Sequence, residues 1–306
     1  MRRNVGARRG SRAKRARWRH ALVAYLFLLP FLALFVVFLV LPLLYAAVLS
    51  VYQDTLVGGH FFAGFDNYAR VVEDPAFWSG VTNMLLFGAV QVPVMLSLAL
   101  VFALVLNGRV VWMRGLFRIG FFLPYAVPSV IAALIWGYLY GPVFGPFTQL
   151  ARVLGLPAPN FLSERMMLGS LANIVTWEFT GYNLVILYSA LQAVPTDVEE
   201  AAAICGARAW QVALYIKIPL IAPTILLTGI FSVIGTLQLF NEPQLMFAVA
   251  PQVIRDHYTP NLYAYTLAFT NQEYNYSAAV SFVLGGLVVL ISAIVLMTTR
   301  RRAIMA

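Results

Sequence analysis

"PTDVEEAAAICGARAWQVALYIKIPLIAP", Pro195 to Pro223, stands between two long apolar runs and is unlike either. Thr196 and Glu199 have the spacing of a capping box, in which an N-cap hydroxyl and an N3 carboxylate each satisfy an orphan amide. Asp197, Glu199 and Glu200 then lie at the positive end of the helix dipole. Val198, Ala201, Ala202 and Cys205 recur at helical spacing as a narrow apolar stripe. Gly206 suits the position just past a helix end. A second short helix follows over about 207–215, with Trp210 and Leu214 on one side, and Pro219 is placed to open the next apolar run. The segment reads as helix–turn–helix. A linker lying on a membrane surface would present Lys and Arg to anionic lipid; three carboxylates beside small alanines suit a protein partner instead.

The flanking runs set the fold class. Of 306 residues, 61% are hydrophobic and 11% charged, with a mean hydropathy of +0.81. Soluble domains carry about 25% charged residues, so the chain reads as a polytopic membrane protein. Apolar segments occur at 21–51, 81–106, 116–140, 168–193, 220–241 and 277–299, each near the roughly 20 residues a helix needs to cross a bilayer. Helices are required, because lipid-exposed backbone must satisfy its own hydrogen bonds. Pro30, Pro42, Pro93, Pro124 and Pro128 fall in or near these spans and mark kinks or re-entrant ends. The expected fold is all-α with six transmembrane helices. It divides into a basic arm 1–20, a first transmembrane helix 21–51, an external loop 52–80, a core 81–299 containing the 195–219 loop, and a basic tail 300–306.

Charge supplies the orientation. Nine of 21 basic residues lie in the first 19 positions; next to an apolar run they read as a topology signal that holds anionic membrane lipid, not as a nucleic-acid arm. With the N-terminus inside, the inside segments also collect Arg109, Arg114, Arg118, Arg208, Lys217 and Arg300 to Arg302. The outside loops keep only Arg70, Arg152, Arg165 and Arg255. Both termini are therefore expected in the cytoplasm, and the 195–219 loop with them. The run 21–51 is too long for a signal-peptide core of about 7–15 residues.

Several chemistries are excluded. Cys205 is the only cysteine, and His20, His60 and His257 are scattered, so no metal cage is expected. The only lysines, Lys14 and Lys217, do not follow glycine, which rules out a Walker A loop. Any ATP-driven step must use another subunit. No catalytic residue and no cofactor are expected, and the chain is not expected to be an enzyme: an intramembrane enzyme would need a nucleophile–base pair or metal cluster within the spans.

"EAAAICG" (Glu200–Gly206) followed by "ARAWQVALYIKIP" (Ala207–Pro219) resembles the cytoplasmic signature E-A-A-x3-G-x9-I-x-[L/I]-P of binding-protein-dependent ABC importer permeases. The resemblance extends over nearly the whole chain. "FAGFDNYARVVEDPAFW" (Phe62–Trp78), "FFLPYAVPSVIAALIWGYLYGPVFGPFTQL" (Phe121–Leu150) and "LQAVPTDVEEAA" (Leu191–Ala202) look like the carbohydrate-uptake subfamily and its maltose-system F-type subunits; "FNEPQLM" (Phe240–Met246) resembles a variant among oligosaccharide and glycoside importers. The resemblance implies the type I ABC importer transmembrane fold in a bacterial cytoplasmic membrane. It also implies a sugar or short oligosaccharide as solute, and as partners a second permease in a heterodimer, two ATPase subunits that bind and hydrolyse the ATP, and an extracytoplasmic solute-binding protein. Carried over by position, the ATPase-docking residues are Glu200, Ala201, Ala202, Gly206, Ile216 and Pro219. The chain departs from the pattern at Cys205, where Asp is common, at Ala213 in place of Phe, and at Ile218 in place of Leu. "FAVAPQVIRDHYTP" (Phe247–Pro260) replaces a Gly-Gly-Pro stretch.

Ionisable groups inside spans are functional candidates by default. Glu178 sits in "TWEFTGYN" with Trp177, Tyr182 and Asn183, and Gln238, Asn241 and Glu242 cluster at the end of the fifth run. Aromatic faces with hydrogen-bonding side chains suit a sugar, so these seven are the candidates for the solute path. Helix packing is the competing role for each. Two other readings of the chain remain: an ion-coupled secondary transporter, for which several intramembrane acids and inverted repeats are expected, and an ABC permease for a non-sugar solute such as glycerol phosphate.

Overall fold

The computed structural model describes residues 25–55, 59–108 and 111–304. The basic arm 1–20, the start of the first predicted span and Arg109 lie outside them, and of the tail only the helical backbone to Ile304 is described. Helix α1 (Tyr25–Ser50) leads into a hairpin of β1 (Tyr52–Thr55) and antiparallel β2 (Gly59–Phe62). Then come α2 (Asp66–Glu73), α3 (Pro75–Asn107), α4 (Arg114–Ala126), α5 (Ser129–Leu139), α6 (Pro146–Val153) and α7 (Glu164–Gln192). The chain closes with α8 (Thr196–Ile204), α9 (Ala209–Leu220), α10 (Ala222–Leu237), α11 (Asn241–Val249), α12 (Pro260–Phe269) and α13 (Tyr274–Ile304). The hairpin is a small departure from the all-α expectation. Within the segment 52–80, read as an external loop, lie the hairpin and α2, and α3 already begins at Pro75, where the Asp74 carboxylate accepts the Ala76 amide at 2.9 Å.

Among the described residues, three helices are long and apolar enough to cross a membrane unaided: α1, α3 and the Tyr274–Met297 part of α13. Two bent pairs, α4–α5 at 94° and α9–α10 at 68°, are each long and apolar enough when taken together. The first bend follows from Pro128, which drives the preceding Val127 into an extended conformation (φ −78°, ψ 127°). The second falls at Ile221, so the fifth run starts with Pro223 in its first turn and not at Pro219 as the sequence suggests. Two π-turns, Val36–Val40 and Ala213–Lys217, each lie just before a proline, Pro42 and Pro219. Proline lacks the amide that the carbonyl four residues earlier would use, and the wider turn accommodates that loss.

Helix α7 is the innermost element. It packs along α3 and α4 and also meets α5, α10 and α11. Met167, Leu171, Ile174, Leu184, Leu187 and Leu191 are fully buried along its length. Gly181 permits the closest of these approaches, since a Cβ there would overlap the Phe121 carbonyl of α4. A second core joins α2, α3, α12 and α13 through Val71, Phe77, Met84, Leu267 and Val280. At one end of that core the Asp74 carboxylate accepts hydrogen bonds from the Tyr263 and Tyr276 hydroxyls, both at 2.6 Å. Arg70 lies over the Tyr276 ring at 3.7 Å and pairs with Glu273 at 3.1 Å. Burial alone would raise the Asp74 pKa, but the two tyrosine hydroxyls and the amides of Ala76 and Phe77 outweigh it and hold the carboxyl below the ordinary 3.8.

Gly181→Ala should push α4 off α7 and destabilise the detergent-purified protein by about 3 kcal/mol or more. Gly285→Ala, whose Cβ meets nothing within 4 Å, should be near neutral in the same thermal melts. Because the folded Asp74 binds its proton more weakly than the unfolded chain does, its contribution to stability is full above the ordinary aspartate value. It is lost as the pH falls through the lower folded value. The stability difference between wild type and Asp74→Asn should therefore shrink when melts at about pH 5 are repeated at about pH 3.

Candidate functional site

Two features stand out: the exposed loop formed by α8 and α9, and a cavity beside α7 whose largely apolar wall carries several hydrogen-bonding side chains. In the loop, Pro195 takes the N-cap position (φ −59°, ψ 134°) and Thr196 is the first helical residue, so the expected Thr196–Glu199 capping box does not form. The one-residue shift moves Glu199 beyond N3, and its carboxylate pairs with Lys217 at 2.8 Å instead. A related contact opens α9, where the Gln211 Oε1 accepts the Arg208 amide at 2.7 Å. Gly206 holds the C′ position with φ +81°. The Gly206 amide donates to Ala203 and the Ala207 amide to Ala202, both at 3.0 Å, the two bonds of a Schellman motif. Only glycine adopts that dihedral without strain.

Glu200, Ala201, Gly206 and Pro219 are exposed, and Ala202 and Ile216 are half-buried. Around them Ile204, Trp210, Leu214, Tyr215 and Leu220 are large, apolar and exposed. Polar backbone, small residues and uncovered apolar side chains thus share one projecting element.

Lys217 anchors this element, a role that no local pattern announces. The residue is 8% exposed. Its Nζ donates to Asn107 Oδ1 at 2.6 Å while pairing with Glu199. One ammonium thereby joins α8, α9 and the last residue of α3. A buried cation left without these partners would be costly.

The cavity, of about 500 Å³, lies between α3, α4, α7, α10 and the turn into α11. Tyr182, Asn183, Gln238, Asn241 and Glu242 of the predicted path residues line it. Glu178 and Trp177 do not: Trp177 meets Trp136 edge-on at 5.7 Å in an aromatic cluster, and Glu178 is buried (4% exposed) behind the wall. The Glu178 Oε2 has no hydrogen-bond partner among the described residues. Asn183 donates to the Phe179 carbonyl at 2.9 Å, and Asn241 to Ser129 Oγ at 3.0 Å, which ties α11 to the start of α5. Gln91 and Tyr125 are among the lining residues that the sequence did not mark. Gln91 of α3 is buried and accepts from Thr236 Oγ1 at 3.3 Å; Tyr125 of α4 stacks on Tyr182 at 4.8 Å between centroids. An amide inside the apolar run "AVQVPV" (Ala89–Val94) was the available signal for the first.

Comparison with known proteins adds ancestry to this geometry. The family described as "Binding-protein-dependent transport system inner membrane component" matches residues 95–303. The lactose transport system permease protein LacF of Rhizobium radiobacter is 33% identical over 91% of this chain and 94% of its own length. The trehalose/maltose transport system permease protein MalF of Thermococcus litoralis is 30% identical over 74% and 77%, and the arabinooligosaccharides transport system permease protein AraP of Bacillus subtilis is 28% identical over 93% and 92%. Among solved structures, a chain of a bacterial alginate ABC transporter in complex with an alginate pentasaccharide-bound periplasmic protein superposes with a TM-score of 0.83 at 20% identity, covering 93% of this chain and 96% of that one. At that identity the likeness concerns the fold.

A double-mutant cycle on the loop anchor, Lys217→Met with Glu199→Gln, should return a coupling of about 1–3 kcal/mol in thermal stability. Lys217→Met alone should speed proteolytic cleavage between α7 and α9, because α8 then loses its tie to α3.

Proposed function

The chain belongs to the binding-protein-dependent transport system inner membrane components, and we propose that it is the permease subunit of a bacterial ABC importer for a sugar or short oligosaccharide. The observation that carries this reading is the projecting α8–α9 loop, with its Gly206 turn and exposed Glu200, Ala201 and Pro219. As a knob for an ATPase subunit, it explains why apolar side chains stand uncovered outside the membrane-spanning runs. Six spans follow if the three long helices, the bent pair α4–α5, and α10, whose partner α9 stays at the surface as part of the knob, are joined by α7. That helix carries polar groups because its neighbours enclose it, which is the position an inner transport helix occupies. The distribution of basic residues supports a cytoplasmic location for both termini and the knob.

In this scheme a second permease completes the pathway and an extracytoplasmic binding protein delivers the solute to the cavity beside α7. ATP binding closes two ATPase subunits, which draws on the knob. Lys217 passes that displacement to Asn107, the end of α3, and α3 contributes Gln91 and Met95 to the cavity wall. The chain itself does no chemistry. It couples two conformations to the binding of partners.

The loop turn supplies the test. Proline at 206 cannot adopt φ +81° and removes the amide bonded to Ala203. Gly206→Pro should abolish solute uptake and co-purification of the ATPase subunits while the chain still inserts into membranes. Unchanged uptake would remove the coupling role.

A further inference from the structure

The cavity has a charge character that its reading as the solute path does not use. Its hydrogen-bonding walls are amides and hydroxyls, among them Gln91, Asn183, Ser232 and Thr236, plus one carboxyl, Glu242. No Lys, Arg or His is among the described residues that line it. Glu242 is itself 5% exposed, and Glu178, behind the wall, is within its electrostatic reach. Of the basic side chains on the neighbouring elements, Arg165 sits exposed at the first turn of α7 and does not line the cavity, and the others are held by local partners. Arg118 of α4 lies over the Tyr188 ring, Arg114 donates to the Val111 carbonyl, and Lys217 is held by Glu199 and Asn107.

An anion stripped of water needs a cation or several converging donors to offset its desolvation. In this cavity it meets a carboxyl. When ionised, that group repels it; when protonated, it offers a single donor and no counter-charge. A neutral sugar meets the opposite circumstances. Its hydroxyls can donate to Glu242 and exchange hydrogen bonds with the amides, and its C–H faces can rest on the stacked Tyr125 and Tyr182. We propose that the cavity passes neutral, hydroxyl-rich solutes and rejects anionic ones such as uronates and sugar phosphates, with Glu242 setting the sign. The proposal rests on the reading of this cavity as the solute path, and it argues against a glycerol phosphate cargo.

The field in the cavity can be measured without knowing the solute. In the full chain in native membranes, Cys205→Ser removes the only thiol and Ser232→Cys places one on the cavity wall. Modification rates are then compared for a cationic reagent, trimethylammonium-ethyl methanethiosulfonate, and an anionic one, sulfonato-ethyl methanethiosulfonate, each divided by its rate with a free thiol in solution. The normalised ratio should favour the cation by about ten-fold or more. It should fall to near unity in Glu242→Gln and survive in Glu242→Asp, which keeps the charge. A ratio near unity in the parent, no change in Glu242→Gln, or an equal collapse in Glu242→Asp would each overturn the charge assignment while leaving the path reading intact. Failure of both reagents to reach the thiol would overturn the path reading itself, and this proposal with it.

Discussion

Helix α7 carries Glu178, Thr180 and Asn183 through the middle of its length, all of them buried. Exposing such groups to hydrocarbon costs on the order of several kcal/mol for the carboxyl and somewhat less for the others. The helix is therefore tenable only when other helices surround it, and the remaining architecture can be read as the means of doing so. Gly181 lets α4 approach until backbone meets backbone at Phe121. Helix α3 covers a second side, and the break at Val127–Pro128 turns α5 so that it too reaches α7. Asn183 meets its needs by bonding back to Phe179. Polarity on one helix thus dictates the closeness and the bends of its neighbours.

Enclosure is incomplete on the side facing α10, and the cavity occupies that gap. Its walls come from five separate elements, and two of its polar groups are oriented by a partner from another element: Thr236 by Gln91 and Asn241 by Ser129. A site assembled in this way changes shape whenever one of those elements moves. Helix α3 belongs to the wall and, through Asn107 and Lys217, to the α8–α9 loop. The same rigid helix therefore touches both features.

Local features of the chain were legible in the sequence because they depend on near neighbours. The apolar runs 21–51 and 81–106 announce the helices Tyr25–Ser50 and Pro75–Asn107, Pro128 announces the bend that follows Val127, and Gly206 announces the turn between α8 and α9. The Thr196 capping box failed for a local reason as well: Pro195 serves as the N-cap, so the helix begins one residue early. What could not be read depends on distant pairing. Lys217 looks like an inside-facing basic residue until Asn107, 110 positions away, and Glu199 are brought to it. Tyr125 reads as one more apolar-run aromatic until it lies on Tyr182. Periodicity likewise gave Glu178 and Trp177 the same standing as Tyr182, although of the three only Tyr182 lines the cavity.

The π-turn at Ala213–Lys217 bears on how distances along this chain should be counted. A turn closed by the bond from Ile218 to Ala213 holds one residue more than an α-turn of nearly the same rise. The stretch from Gly206 to Pro219 is consequently shorter in space than its residue count implies, and every side chain beyond the turn is rotated relative to those before it. A ruler based on 3.6 residues per turn would assign Lys217 and Ile216 to the wrong faces. Sequence spacing between glycine and proline here is a measure of chain length with one residue of slack, and two relatives differing by a residue in this interval could still present superimposable loops.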